Sequence, residues 1–241
     1  MTLSKAVLVT GASRGIGWAT AELLCQQGLQ VINLDILPQP RASRANHVQV
    51  DFTDEAASAK VLKDVTLRYD VTRLVNNAGF AQLAPLEEMT WDLLEKTVQI
   101  NLRASIQCAQ AVLPAMKAAH FGRIVNLTSR AALGKEQRTA YAGTKGALIS
   151  MTRIWALELA RHGITVNAIG PGPVATEMYR AVNPLGSPRT QKLVADIPLG
   201  RVGEPEDVAH AIAFFLSDTS SYITGQTLYV CGGLSIGTAP L

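Results

Sequence analysis

The sequence predicts one α/β domain built on a doubly wound sheet of about seven parallel strands with helices on both faces. Short β-branched runs alternate with longer helical stretches almost from end to end, and several runs are apolar at consecutive positions. Strands covered on both faces read that way, and a strand–helix–strand succession closes by default as a parallel crossover. No linker, repeat or low-complexity block divides the 241 residues, so residues 1–241 read as a single domain.

Strands are expected over residues 6–10, 31–35, 47–51, 73–76, 123–127, 164–168 and 227–230. The first helix follows the first strand directly and turns Ile16, Ala19 and Leu23 inward. Two later helices carry more apolar surface than one core-facing stripe needs. The stretch 102–119 presents Ile106, Ala109, Val112, Leu113 and Met116 on one side, with Ala104, Cys108, Ala111 and Ala115 around the rest. The stretch 141–160 has Leu148, Met151, Trp155 and Leu159, with Ile149, Ile154 and Ala156 elsewhere. Such helices are expected to be buried nearly all round, in part by a subunit interface. Residues 183–200, rich in Pro and Gly and poor in periodicity, read as a substrate-binding loop or lid within the domain. The last helix starts at Pro205, with Glu206 and Asp207 at the positive end of its dipole.

Composition excludes several classes. At 48% hydrophobic and 17% charged the chain is an ordinary globular one, and its net charge of +3 is scattered, which gives nucleic acid no basic stripe to bind. Cys25, Cys108 and Cys231 lie far apart among apolar residues, which suits small buried hydrophobes in a reducing, cytoplasmic setting better than disulfides or metal ligands. The apolar stretch after Met1-Thr2-Leu3-Ser4-Lys5 is too short for a signal peptide, and no run is long enough to span a bilayer. No metal is expected.

The chemistry begins at Thr10-Gly11-Ala12-Ser13-Arg14-Gly15-Ile16-Gly17. Glycines between a strand and a helix allow a sharp bend and close approach to a pyrophosphate, for which the helix N-terminus offers N–H groups. The spacing is G-x-x-x-G-x-G. The commoner fingerprint occurs only at Gly170-Pro171-Gly172-Pro173-Val174-Ala175, where two prolines lack the N–H a phosphate cradle needs. Asp35 ends the second strand, where a carboxylate accepts from adenosine ribose hydroxyls and repels a 2′-phosphate; Ile36 follows it rather than an arginine. Arg14 in the glycine turn is the one feature that points toward a 2′-phosphate. NAD is therefore expected over NADP.

Hydride transfer to a carbonyl leaves an alkoxide that must gain a proton, and the reverse reaction must lose one. Tyr141 and Lys145 are four apart, hence on one face of a helix, where the ammonium and the helix dipole both favour the phenolate. Ser129, just past the 123–127 strand, lies at the carboxyl edge of the sheet, where its hydroxyl can steady a substrate oxygen. Asn76-Asn77-Ala78-Gly79 belongs at the same edge.

Taken together, the glycine turn, Asn76-Asn77-Ala78-Gly79, Asn101, Ser129, Tyr141-x-x-x-Lys145 and Pro171-Gly172 resemble the classical short-chain dehydrogenase/reductases in order and spacing, from about Ala6 to Gly233. The resemblance implies a Rossmann-type fold, an NAD(P)-dependent hydride transfer on a small alcohol or carbonyl, and a homotetramer or homodimer built on the two apolar helices. It implies that Tyr141 is the proton donor or acceptor, that Lys145 lowers its pKa and binds the nicotinamide ribose, and that Ser129 orients the substrate oxygen. Asn101 would break its helix and hold a proton-relaying water. Gly11, Ser13, Arg14, Gly15, Ile16 and Gly17 would form the phosphate turn. Asp51 would contact the adenine, Asn77, Ala78 and Gly79 would border the adenosine side, and Pro171, Gly172, Val174 and Thr176 would lie along the nicotinamide, with Thr176 on its carboxamide. The Ser129–Tyr141 loop is one residue shorter than in many members, so substrate contacts of longer-loop relatives do not transfer. The glycine turn also resembles that of NADPH-linked 3-oxoacyl carrier-protein reductases, the nearest rival. A member that binds NAD only as a scaffold is a second rival, which the complete catalytic set opposes. Arg130, Lys135, Glu136, Gln137 and Arg138 surround the serine loop and read as solvated charge, with a polar or carboxylated substrate as the other reading; Arg189 and Lys192 share that ambiguity.

Overall fold

The computed structural model describes residues 3–40, 42–184 and 186–236. Seven strands form one sheet in the order β3-β2-β1-β4-β5-β6-β7, every pair parallel. They are β1 (Ser4–Thr10), β2 (Val31–Asp35), β3 (Asn46–Gln49), β4 (Tyr69–Asn76), β5 (Gly122–Leu127), β6 (Ile164–Pro171) and β7 (Thr227–Val230). The order reverses between β1 and β4, which opens a crevice at the carboxyl edge of the sheet.

The consecutive apolar positions are explained by two cores. Ala6 and Leu8 of β1 join Ile32, Leu74 and Ile124 under helices α2 (Glu55–Thr66), α4 (Ala104–Ala118) and α5 (Thr139–Leu159). Val7 and Val9, on the opposite face, join Val31, Val75, Val125 and Ile169 under α1 (Gly15–Gln26) and α8 (Pro205–Leu216). Successive strand residues point to opposite faces, so burial on both sides demands an unbroken apolar run. Three shorter helices complete the fold, α3 (Trp91–Val98), α6 (Glu177–Val182) and α7 (Pro188–Ala195).

Several expectations shift. The third strand stops at Gln49 rather than 51, because Asp51 Oδ1 accepts from the N–H and the hydroxyl of Thr53, each at 2.8 Å, and turns the chain. In α1 the residue driven fully into the core is Leu24, while Leu23 is half-buried. Ile106 does not face the α4 core but is 36% exposed, and on α5 Ile154 and Leu157 are exposed at 49% and 84%. These helices are therefore not buried all round within one chain. Residues 183–200 are not irregular throughout. Ser187 caps α7 through Thr190 N–H, and Pro188 sits at its first position, so local capping builds a helix where periodicity gave no sign of one.

The three cysteines are free, with Cys108 and Cys231 buried. Burial pushes the Cys108 thiol up to about 12, which suits an inert packing residue. Among the described residues no helix is long and apolar enough to cross a membrane, and no cluster of His, Cys, Asp and Glu could hold a metal ion.

Candidate active site

The turn between β1 and α1 is set by conformation and by packing. Gly11 and Gly15 have φ of +69° and +55°, which L side chains rarely adopt, and a Cβ on Gly17 would lie 2.2 Å from the Gly11 carbonyl oxygen. Asn77 holds the turn from below. Its Nδ2 donates to the carbonyls of Thr10 and Gly11, each at 2.9 Å, and the N–H groups of Asn77 and Ala78 both donate to Thr10 Oγ1. Asp54, Thr90, Thr176 and Ser187 cap α2, α3, α6 and α7 with their side chains, but Arg14 at the N-cap of α1 makes no such bond. The first turn of α1 thus presents its N–H groups to the cleft without a side-chain cap, as a pyrophosphate site requires.

Asp35 stands at the end of β2 with its carboxylate engaged. Oδ2 accepts from Ser13 N–H and Oδ1 from Leu37 N–H, each at 2.9 Å. Each carboxylate oxygen retains a further lone pair, so the group can still accept from two hydroxyls. Ser13 is buried and its hydroxyl is shared between the Leu37 carbonyl and Asn33 Nδ2, which ties the glycine turn to β2. Arg14 is exposed.

Between α3 and α4 the chain makes a π-helical turn over Gln99–Arg103. The wider turn carries Asn101 inward, where it is fully buried. Asn101 accepts from Phe80 N–H at 2.8 Å and donates to the Phe80 carbonyl at 3.1 Å and to Thr144 Oγ1 at 3.0 Å. Two residues on, Arg103 donates to the carbonyls of Phe52 and Thr53, each at 2.9 Å, and so pins the loop that carries Asp51.

Ser129, Tyr141 and Lys145 come together at the ends of β5 and α5. Ser129 Oγ accepts from Ala131 N–H at 3.1 Å and bonds the phenol. Lys145 is buried, donates to the Leu127 carbonyl at 2.6 Å and lies 5.9 Å from the Tyr141 ring centroid. Burial lowers its pKa from 10.5 to about 8. Burial also pushes the Tyr141 phenol up, against which the Ser129 hydroxyl and the Arg138 charge pull it part of the way back. The Lys145 ammonium donates to Leu127, and Arg138 is a second cation beside the phenol, its Cζ 5.9 Å from the ring centroid, as far as Lys145 Nζ.

Most of these groups open on one cleft of about 1240 Å³. A drug-sized ligand needs roughly 300–1,000 Å³, so the volume accommodates a dinucleotide with a small substrate beside it. Of the expected site residues, Gly11, Arg14, Gly15, Ile16, Gly17, Asp35, Asp51, Asn77, Ala78, Gly79, Ser129, Tyr141, Lys145, Pro171, Gly172, Val174 and Thr176 line it. Ser13 and Asn101 do not, and act from behind the wall. Thr176 also caps α6 by accepting from Tyr179 N–H at 3.2 Å. From 183–200, Asn183 and Leu193 reach the cleft, and Lys192 is not among its lining residues; the side chain of Arg189 lies outside the described residues. Sequence reasoning missed Arg138 as a partner of Tyr141, although a spacing of three places both on one helix face. It also missed Tyr179, which lines the cleft with its hydroxyl shielded from solvent.

A protein-family model described as Enoyl-(Acyl carrier protein) reductase matches residues 11–235. The chain is 37% identical over 249 residues to the (2S)-[(R)-hydroxy(phenyl)methyl]succinyl-CoA dehydrogenase subunit BbsD of Thauera aromatica, covering 97% of each. It is 38% identical over 247 residues to the 3-oxoacyl-[acyl-carrier-protein] reductase FabG of Thermotoga maritima, covering 96% of this chain and 98% of the relative. Among solved structures, aldohexose dehydrogenase of Thermoplasma acidophilum superposes with a TM-score of 0.91 at 32% identity, over 99% of this chain and 96% of that one.

Proposed function

The chain belongs to the classical short-chain dehydrogenases/reductases, NAD(P)-dependent enzymes acting on CH–OH or C=O groups, and from that premise we propose that it moves a hydride between NAD(H) and a small secondary alcohol or its carbonyl. One observation carries the reading: Ser129, Tyr141 and Lys145 line the same cleft as the uncapped N-terminus of α1 and Asp35.

The residues present fit a dinucleotide. Gly11, Arg14, Gly15, Ile16 and Gly17 would hold the phosphates, with Ser13 bracing them, and Asp35 the adenosine ribose. Asp51 would face the adenine and Asn77, Ala78 and Gly79 the adenosine side. Lys145 would bind the second ribose, and Pro171, Gly172, Val174 and Thr176 would flank the nicotinamide, which supplies or accepts the hydride. Tyr141 gives a proton to the substrate oxygen in reduction and takes it in oxidation. Ser129 hydrogen-bonds that oxygen and orients it. Asn101 holds Phe80 and Thr144, and through them the backbone around Gly79 and the helix bearing Tyr141.

NAD is proposed over NADP because the Asp35 carboxylate, at the end of β2 and in the cleft lining, would accept from ribose hydroxyls and oppose a 2′-phosphate. The rival, an NADPH-linked 3-oxoacyl carrier-protein reductase-like enzyme, draws on exposed Arg14 at the cleft and on the likeness to the Thermotoga maritima reductase. Turnover of a panel of secondary alcohols and ketones with NADH against NADPH decides between them, and a roughly tenfold preference for NADPH overturns the assignment. Tyr141→Phe is expected to cut turnover roughly 10²- to 10⁴-fold. Unchanged turnover would leave the scaffold reading in its place.

A cytoplasmic homodimer or homotetramer completes the proposal. It is supported by the free cysteines and by the exposed Ile154 and Leu157 on α5, and light scattering gives the copy number.

A further inference from the structure

We propose that Arg138 receives a carboxylate borne by the substrate within a few bonds of its reacting carbon, so that the substrates are short hydroxy or oxo acids. The proposal rests on the dehydrogenase reading above and adds to it a substrate class.

The first support is position. The Arg138 guanidinium carbon lies 5.9 Å from the Tyr141 ring centroid, and both residues line the cleft. A group bound there reaches a carbon whose oxygen meets Tyr141 only if the two are close neighbours in one small molecule.

The second is fixity. Arg138 is the N-cap residue of α5, and its carbonyl accepts from Ala142 N–H at 2.7 Å. On its other side it forms a β-bridge pair with Ala84, whose N–H donates to the Gln137 carbonyl at 3.1 Å. Gln137 takes a φ of +60°, and among the described residues only His120 shares such a value without being glycine. Strained backbone of this kind persists where surrounding contacts impose it, and it clusters at ligand sites. The main chain thus delivers this cation beside the phenol.

The third is the balance of charge and burial. Arg14, Lys96 and Lys135 also line the cleft but are exposed, whereas Arg130 and Arg138 are half-buried. Of these two, Arg138 is the one whose guanidinium lies against the Tyr141 ring, so its field beside the phenol is less screened. The cleft carboxylates Asp92 and Glu95 on α3 are exposed, and Glu95 accepts from Gln99. Arg138 is engaged within the fold as well, and its five N–H donors can serve more than one acceptor. A planar guanidinium presents paired donors that match a carboxylate.

A fourth observation shows that this cleft has hydrogen-bonding capacity to spare. Tyr179 Oη is shielded from solvent and has no hydrogen-bond partner among the described residues, and Tyr179 lines the cleft. Buried hydroxyls without partners are uncommon, and a polar ligand satisfies them.

The test compares 2- and 3-hydroxybutanoate, each against its methyl ester, using the NAD-supplemented full-length protein. The wild type is expected to favour the acids by roughly tenfold or more in kcat/KM, Arg138→Gln to bring that ratio near one, and Arg138→Lys to restore part of it. Equal use of acid and ester by the wild type overturns the proposal, as does a preference that survives Arg138→Gln. If Arg138 acts only on the Tyr141 proton, the variant slows acid and ester alike and the ratio stays put, which also overturns it. A second readout does not require turnover: calorimetric Kd values for butyrate against butyramide. Binding of butyrate that weakens roughly tenfold in Arg138→Gln supports the proposal, and butyrate bound no better than butyramide by the wild type refutes it. Absence of turnover on every alcohol and ketone, with this binding pattern intact, would refute the dehydrogenase reading alone.

Discussion

The ammonium of Lys145 is hydrogen-bonded to the carbonyl of Leu127 at 2.6 Å, which stitches α5 to the last residue of β5 two places before Ser129. The contact fixes the serine and the tyrosine relative to each other before any ligand arrives. It also commits a buried cation to a place where the fold gains little from its charge.

That commitment has a stability cost. The folded pKa of about 8 lies below the unfolded value of 10.5, so the penalty is fully present below about pH 8 and disappears as pH rises toward 10.5. Lys145→Met is expected to abolish turnover and yet stabilise the fold at pH 7 by roughly 1–2 kcal/mol after loss of the Leu127 bond is offset, which raises the melting temperature. The advantage should shrink between pH 8 and 10.5. Thermal melts across that range check it, and a lower melting temperature at pH 7 would refute it.

The same titration shapes activity. Lys145 is half-charged at about pH 8, mostly charged below it and progressively neutral above it. Carbonyl reduction, in which Tyr141 gives up its proton beside that charge, should hold through neutral pH and decline as pH passes about 8. In Lys145→Arg, whose guanidinium stays charged, any remaining activity should decline only at higher pH. The profile of kcat/KM against pH reads the difference.

Asp35 links cofactor choice to the shape of the glycine turn, because its two oxygens hold Ser13 and Leu37 N–H. Asp35→Ala leaves both donors without their acceptor and should cost about 2 kcal/mol or more. KM for NADH should rise roughly tenfold, with NADPH less affected. Melting curves and paired KM measurements test the two halves separately.

Gly17 admits no side chain, since a Cβ would lie 2.2 Å from the Gly11 carbonyl oxygen and 2.5 Å from Asn77 Nδ2. Gly17→Ala must therefore push the turn open. Overpacking costs typically about 1–3 kcal/mol, and dinucleotide affinity, followed by nicotinamide fluorescence, should fall roughly tenfold or more. Wild-type affinity in this variant would show that the turn does not cradle the phosphates.

The sheet was legible because two-sided burial writes itself as unbroken apolar runs, and β2 and β7 have the bounds expected from sequence. Strand ends were less so. β3 is closed by the Asp51–Thr53 turn, a side-chain event that hydrophobic pattern does not encode. The placement of Ser129, Tyr141 and Lys145 along one cleft follows from spacing and topology alone. The partner of Lys145 did not, because the Leu127 carbonyl is a main-chain group contributed by another element. Arg138 was hidden for a related reason. A charged loop reads as solvated until the Ala84 bridge and the left-handed Gln137 turn its arginine toward the tyrosine.

The π-helical turn Gln99–Arg103 works as a caliper. One jaw, Asn101, grips the reacting end through Phe80 and Thr144, and the other, Arg103, grips the far end through Phe52 and Thr53. The jaws are two positions apart in the chain, so the span between the two ends is a single rigid dimension of the protein. Adding or deleting one residue there would unseat both ends together, however intact each looked by itself.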